Sequence, residues 1–321
     1  MWAGESLGSV QTMSSFTSHR IAKHTGISLS LGLLLVLSGC APEPAPPRPE
    51  ATPSESEVAE LPKATGDDPA PAPKPAPEPS PENPGFNQAE LDELLRQAAW
   101  ANDLETTERL IGWGADVNAQ DGTQQSAYLI STSEGRLDLL RITLEHGADV
   151  QALDSWNGTG LIRAAERGHW DVVGELIQAG VPLDHVNRVG YQAIHEDVWM
   201  GRDDATYHAT TRVLFAGGAD FNTPSVSEGL TPLQMAEYRG FGGQTALMRD
   251  LLNAPVPADP TAALLAAAES GDPTMAAVAL RAGADASVVG AAGKTPYELA
   301  DAGGHVVTLQ LLSALGHGNT D

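Results

Sequence analysis

His195-Glu196 begins like a zinc-hydrolase helix, in which a second His four residues after the first would place two imidazoles on one face to hold the metal. Position 199 is Trp, so the second ligand is missing, and His195 reads as a helix-capping residue. His169 and His305 each follow a glycine and take the same structural reading, while His208 falls in an insertion facing solvent or a partner. Asp203-Asp204 has the acidic start of a calcium loop without the further spaced oxygen ligands, and is read as a solvated turn. There is no Gly-x-Ser-x-Gly nucleophile elbow and no Gly-x-x-x-x-Gly-Lys-Ser/Thr phosphate loop. The one cysteine is Cys40, which leaves residues 86–321 without a disulfide or a thiol nucleophile. No catalytic residue, cofactor or metal is expected, and the chain is not expected to be an enzyme. What remains is recognition chemistry. Trp156 and Asn157 sit in a turn, Arg188 in the next, and Trp199, Tyr207, His208, Tyr238 and Phe241 in or beside two insertions. Exposed aromatic and arginine side chains of this kind anchor protein interfaces.

The elements that position them repeat. Gly-Ala-Asp-Val-Asn at Gly114, Gly-Ala-Asp-Val at Gly147, Gly-Val-Pro-Leu at Gly180, Gly-Ala-Asp-Phe-Asn at Gly218 and Gly-Ala-Asp-Ala at Gly283 recur, the first three glycines 33 residues apart. Each follows an apolar helical stretch such as Leu110-Ile111, Leu140 with Leu144, or Leu176-Ile177. Alanine pairs lie upstream at Ala98-Ala99, Ala164-Ala165 and Ala267-Ala268.

Thr231-Pro232-Leu233 and Thr295-Pro296-Tyr297 place a threonine N-cap before a proline at the first helical position, where its missing N–H costs nothing. Gln192-Ala193-Ile194-His195 is a degenerate form of that start, and Gly168-His169 and Gly304-His305 mark turns between helices. Recurring in phase, these motifs resemble the ankyrin repeat family. The resemblance implies an all-α solenoid over residues 86–321, with about seven helix-turn-helix units joined by β-turn fingers and the first and last acting as caps with a polar outer side. Units are read as starting near Gln88, Asp121, Asp154, Asn187, Ser225, Asp259 and Gly290. Units four and five carry about five and three extra residues at one edge, and the proline-rich link through Pro255, Pro257 and Pro260 is too short for a finger, so the finger row should break there.

Residues 1–85 have a different character. His19, Arg20, Lys23 and His24 precede the apolar run Ile27 to Leu37, too short to span a bilayer and laid out as a cleaved secretory signal, with Met13 a second possible start. Leu37-Ser38-Gly39-Cys40 resembles the lipobox of bacterial lipoproteins. The resemblance implies a signal peptide over 1–39, lipidation of Cys40 and, because Ala41 rather than Asp follows, sorting to the outer membrane on the periplasmic side. Fifteen of the 23 prolines fall between Ala41 and Gly85, so residues 40–85 read as the lipidated Cys followed by a disordered, semi-rigid tether.

Net charge is −24, of which residues 86–321 hold −19. Such a surface repels phosphate and argues against nucleic acid and against anionic lipid apart from the anchor. The reading is therefore a non-catalytic module that holds one or more envelope proteins with a basic or neutral contact surface. An immunity-type inhibitor of a toxic periplasmic enzyme and a scaffold for a resident envelope enzyme are its two variants. Two binding surfaces stand open: the finger row through Trp156 and Arg188, and the inserted edge of units four and five.

Overall fold

Units two, three and four each open on a turn closed by their own first side chain. Asp121 Oδ1 accepts from the amides of Thr123 and Gln125, Asp154 Oδ1 from Trp156 and Gly158, and Asn187 Oδ1 from Val189, Gly190 and Tyr191. Local bonds of this kind give the backbone an alternative to helix, which is why a finger forms there. The same turn is pinned from behind by backbone bonds such as Asp154 N to Gly158 O at 2.9 Å and Asn187 N to Tyr191 O at 3.0 Å. A hydroxyl then starts the helix, with Ser126, Thr159, Thr231 and Thr295 each accepting from the amide three residues on.

The computed structural model describes residues 82–318. Cys40, the signal-like segment 1–39 and the proline-rich stretch up to residue 81 lie outside the described residues. Among those described, fourteen helices pair as seven hairpins: α1 (Gln88–Ala101) with α2 (Leu104–Gly112), α3 (Ala127–Ser133) with α4 (Leu137–Glu145), and α5 (Gly160–Glu166) with α6 (Trp170–Gln178). They continue as α7 (Ala193–Trp199) with α8 (Ala205–Ala216), α9 (Pro232–Arg239) with α10 (Gly242–Asn253), α11 (Pro260–Ser270) with α12 (Pro273–Arg281), and α13 (Pro296–Ala302) with α14 (Val306–Ala314). The glycines before each Ala-Asp or Val-Pro sequence leave the preceding helix with positive φ, from 80° at Gly180 to 102° at Gly218.

Five units stack in order. Inner helices α1, α3, α5, α7 and α9 form one row, and α2, α4, α6, α8 and α10 the other. The row breaks at Ala254–Asp259, the short proline-rich link, which has no finger. From there the chain does not extend the stack. α12 packs against α8 and α10, and α14 packs against α6 and α8, so units six and seven cover the outer helices of units three to five. Arg281 in α12 donates to the Phe215 and Ala219 carbonyls and lies over the Phe215 ring at 4.6 Å.

Two expectations change as a result. The last unit is not a free cap, because its α14 is packed on α6 and α8. The extra residues of units four and five are not loose insertions either. Three in each unit lengthen α8 and α10 to 12 residues, against nine in α4, α6, α12 and α14, and the other two of unit four fall in the connection between α7 and α8. A further turn of helix buries apolar surface, which a solvated loop would not.

Candidate functional site

Between the fingers and inner helices of units three and four lies a pocket of about 280 Å³. Its lining repeats with the period of the chain: Asp154 and Asn187, Trp156 and Val189, Gly158 and Tyr191, Arg163 and Glu196, Glu166 and Trp199 are all pairs 33 residues apart. Adjacent repeats place equivalent positions side by side, so one set of repeat positions supplies both walls.

The floor is charged. Arg163 bridges two carboxylates, Nε to Asp154 Oδ2 at 3.2 Å and one terminal nitrogen to Glu166 Oε2 at 2.7 Å. Glu196, on the facing helix, is 6% exposed and accepts from Asn187 Nδ2 at 2.6 Å. Burial pushes its carboxyl up to about 7, with the bond from Asn187 working the other way and the charges of Glu166 and Asp154 adding to the rise.

The walls are aromatic. Trp156, in the third finger, is 56% exposed, and its carbonyl accepts from the Arg188 amide at 2.8 Å, which ties two fingers together. Trp199 closes the other side, stacked on Tyr238 with centroids 5.9 Å apart and planes at 16°. Arg239 reaches the Trp199 carbonyl and lies over the Trp199 and Phe241 rings. Trp156 and Trp199 therefore face one cavity, and the finger row and the edge of units four and five meet there, not apart.

The other sequence-derived candidates divide. Asn157 has φ 59° and is spent on the neighbouring finger, where its side chain bonds His185 and the Val186 carbonyl. Arg188 is exposed beside Trp156, and Tyr238 is 75% exposed. Phe241 is half-buried beneath Arg239 as the residue before α10. Tyr207 and His208 are corrected. Both lie on α8 and not in a loop, Tyr207 is 4% exposed with its hydroxyl donating to the Glu166 carbonyl, and His208 Nε2 is bonded to Asp203 Oδ1 at 2.7 Å. Asp203-Asp204, read as a solvated turn, consists of two caps. Asp204 caps α8, and Asp203 accepts from the amides of Gly243 and Gln244 at the start of α10, whose own Phe241 makes no side-chain cap.

His195 is a cap, as read: Nδ1 accepts from the Gln192 amide, and Nε2 is 3.0 Å from the Thr223 carbonyl. Its neighbour Asp197 is fully buried, taking bonds from Thr211 and Gln244, and burial holds its carboxyl well above the usual range. It joins α7 to α8 and α10 and does not line the pocket. Gly293-Lys294-Thr295, the tail of a phosphate-loop pattern, is the seventh finger turn, with Thr295 capping α13. Glu196, weighed in the sequence only as part of a metal motif, and Tyr191, Val189 and Met200, which were not singled out, are pocket residues. The signal was available, since each of the first three lies one period from a residue already in hand or beside one.

Residues 95–189 match the sequence profile of the family described as ankyrin repeats (3 copies). The chain carries ankyrin repeats. It is similar to the putative ankyrin repeat protein YahD of Escherichia coli (strain K12), 34% identical over 135 residues covering 41% of this chain and 66% of YahD. Similarity extends to the transient receptor potential cation channel subfamily A member 1 homolog of Caenorhabditis elegans, 32% identical over 125 residues, 39% of this chain and 10% of the channel. The chain thus spans less than two thirds of either relative. Among solved structures it is similar to an ankyrin repeat domain from Acinetobacter baumannii AYE, at 41% identity and TM-score 0.46 over 48% of this chain and 79% of that one. It is also similar to the ankyrin repeat protein EF0377, at 30% identity and TM-score 0.48 over 51% and 85%. The ankyrin repeats matched by the family profile include the whole finger and inner helix of unit three, and end at Val189 in the fourth finger.

Proposed function

We propose that this ankyrin repeat domain is a non-catalytic binding module whose protein partner docks on the groove between fingers and inner helices, centred on the pocket of units three and four. The observation that carries this is the pairing of a 56% exposed Trp156 with the Trp199–Tyr238 stack across one cavity. Large aromatic surface held rigid before binding loses little conformational freedom on association, which is how a few residues come to dominate an interface. Ankyrin repeats are generally protein-interaction modules, and homologues of this family are typically non-enzymatic.

The same reading makes the chain a lipoprotein. Cys40 carries the acyl anchor at the outer membrane, facing the periplasm, and residues 40–85 hold the domain away from the bilayer. The acidic domain then selects an envelope protein with a basic or neutral contact surface.

A photo-crosslinking amino acid at Met200, which is 57% exposed and lines the pocket, tests the docking face in living cells. Capture of one discrete protein from position 200, lost on Trp156→Ala, is the expected result. Capture only from positions on α11–α14, with none from position 200, would overturn it.

A further inference from the structure

The pocket has a composition more specific than a general docking groove requires. Asp154, Glu166 and Glu196 stand against one guanidinium, that of Arg163. Asp154 is already engaged by two finger amides and by Arg163, and Glu166 by Arg163. Glu196 is different. It is nearly enclosed, it receives one bond, from Asn187, and it faces the cavity between two indoles. A buried carboxylate is stabilised most by a further charge-assisted donor, and aromatic faces attract the same cations that a carboxylate does.

We propose that this pocket receives one basic side chain of the partner, an arginine or lysine, held between Trp156 and Trp199 with the Glu196 carboxylate as its counter-charge. The inference rests on the groove being the docking face and names what enters it there. Charge complementarity fixes the occupant. A cation reduces the excess of carboxylate over guanidinium in the pocket, an anion would increase it, and a neutral apolar side chain would leave Glu196 without a second donor. The volume suits a single side chain and not a segment of backbone. The net charge of −19 over residues 86–321 draws a basic surface toward the site.

Binding is then linked to protons, because the cation favours the ionised form of a carboxyl that burial holds partly protonated near neutrality. The groups facing Glu196 are Glu166, Arg163 and Asp154 from unit three and Asn187 from its own finger. Toward unit five stand Glu228, which accepts from the Tyr191 hydroxyl, and Arg239 over the Trp199 ring.

The test uses the full chain and blocked tripeptide amides, Gly-Arg-Gly and Gly-Lys-Gly against Gly-Leu-Gly, titrated by calorimetry and indole fluorescence at pH 8 and pH 5.5. One or both basic peptides should bind saturably at pH 8 and about tenfold more weakly at pH 5.5, with the leucine peptide not binding. Glu196→Gln should bring the pH 8 affinity down to the acid level and abolish the pH dependence. Trp156→Ala, outside the core, should weaken the basic peptide at both pH values and keeps the inference testable should Glu196→Gln not fold. Equal binding of the leucine peptide, or basic-peptide affinity unchanged in both variants, would overturn the inference. Partner capture in cells that is lost on Trp156→Ala but indifferent to Glu196→Gln would overturn it while leaving the docking groove in place. Absence of capture at position 200 would instead remove the groove itself.

Discussion

Gln178 in α6 donates from Nε2 to the Ala314 carbonyl at 2.8 Å, a bond joining unit three to unit seven across 136 residues of sequence. The approach depends on Gly174 one turn earlier, where a Cβ would lie 2.1 Å from the same carbonyl. Gly174→Ala should therefore destabilise the domain by about 1–3 kcal/mol, through forced separation of α14 from α6. Hydrogen exchange should show lost protection in α13–α14 while α3 and α5 keep theirs. Unchanged exchange in α14 would mean that the last unit is not held by this contact.

Asp203 explains what the extra residues of unit four accomplish. Burial opposes its ionisation, but the Gly243 and Gln244 amides and His208 outweigh burial and hold the carboxyl below its usual range. A depressed carboxyl contributes stability that is present above the ordinary Asp value and lost as pH falls through the lowered one. Asp203→Ala should cost about 1 kcal/mol at neutral pH in a urea titration, since α10 then starts without a side-chain cap. A cost no different from that of an exposed surface substitution would show the cap to be incidental.

Glu196 gives the opposite sign. Its folded carboxyl is raised to about 7, so its stability term is intact below the unfolded value of 4.5 and is lost as pH rises from there through about 7. Relative to Glu196→Gln, the wild type should therefore become less stable between pH 5 and pH 8 by on the order of 2 kcal/mol. The Asn187 bond survives in the variant through the amide oxygen, so the difference isolates the charge. Parallel stability curves for the two proteins would contradict the burial of this carboxyl.

How much was legible follows from what period and composition can encode. Gly-Ala-Asp at 33-residue spacing, the Thr-Pro starts and the helix-to-helix glycines are local signals, and they placed seven hairpins and the break at Pro255. The fold-back of α11–α14 is a long-range contact with no local motif. Its trace is the buried run Val213 to Ala216 on α8, an outer helix with no polar face there to give to water. Tyr207 reads as a loop residue because an insertion carries no local sign that it will extend a helix, whereas in the fold it lies on the lengthened α8 and is buried. Trp156 and Trp199 read as parts of different surfaces because they hold different positions in neighbouring repeats, and only the stacking of units three and four brings both onto one pocket.

The proposed lipidation rests on residues outside the described structure: a basic flank, a short apolar run and the one thiol after Leu37-Ser38-Gly39. Metabolic labelling with a fatty-acid analogue should mark the wild type and leave Cys40→Ser unlabelled and soluble after cell fractionation. Continued labelling of Cys40→Ser would refute the anchor, while leaving the binding groove untouched.

Calorimetry of the partner captured in cells against wild type and Trp156→Ala tests the docking groove most directly. Trp156 is more than half exposed and makes its backbone bonds without the indole, so its removal should weaken binding by about 2 kcal/mol and leave the thermal midpoint nearly unchanged. Wild-type affinity in a folded Trp156→Ala protein would contradict the assignment of this pocket as the site where the partner docks.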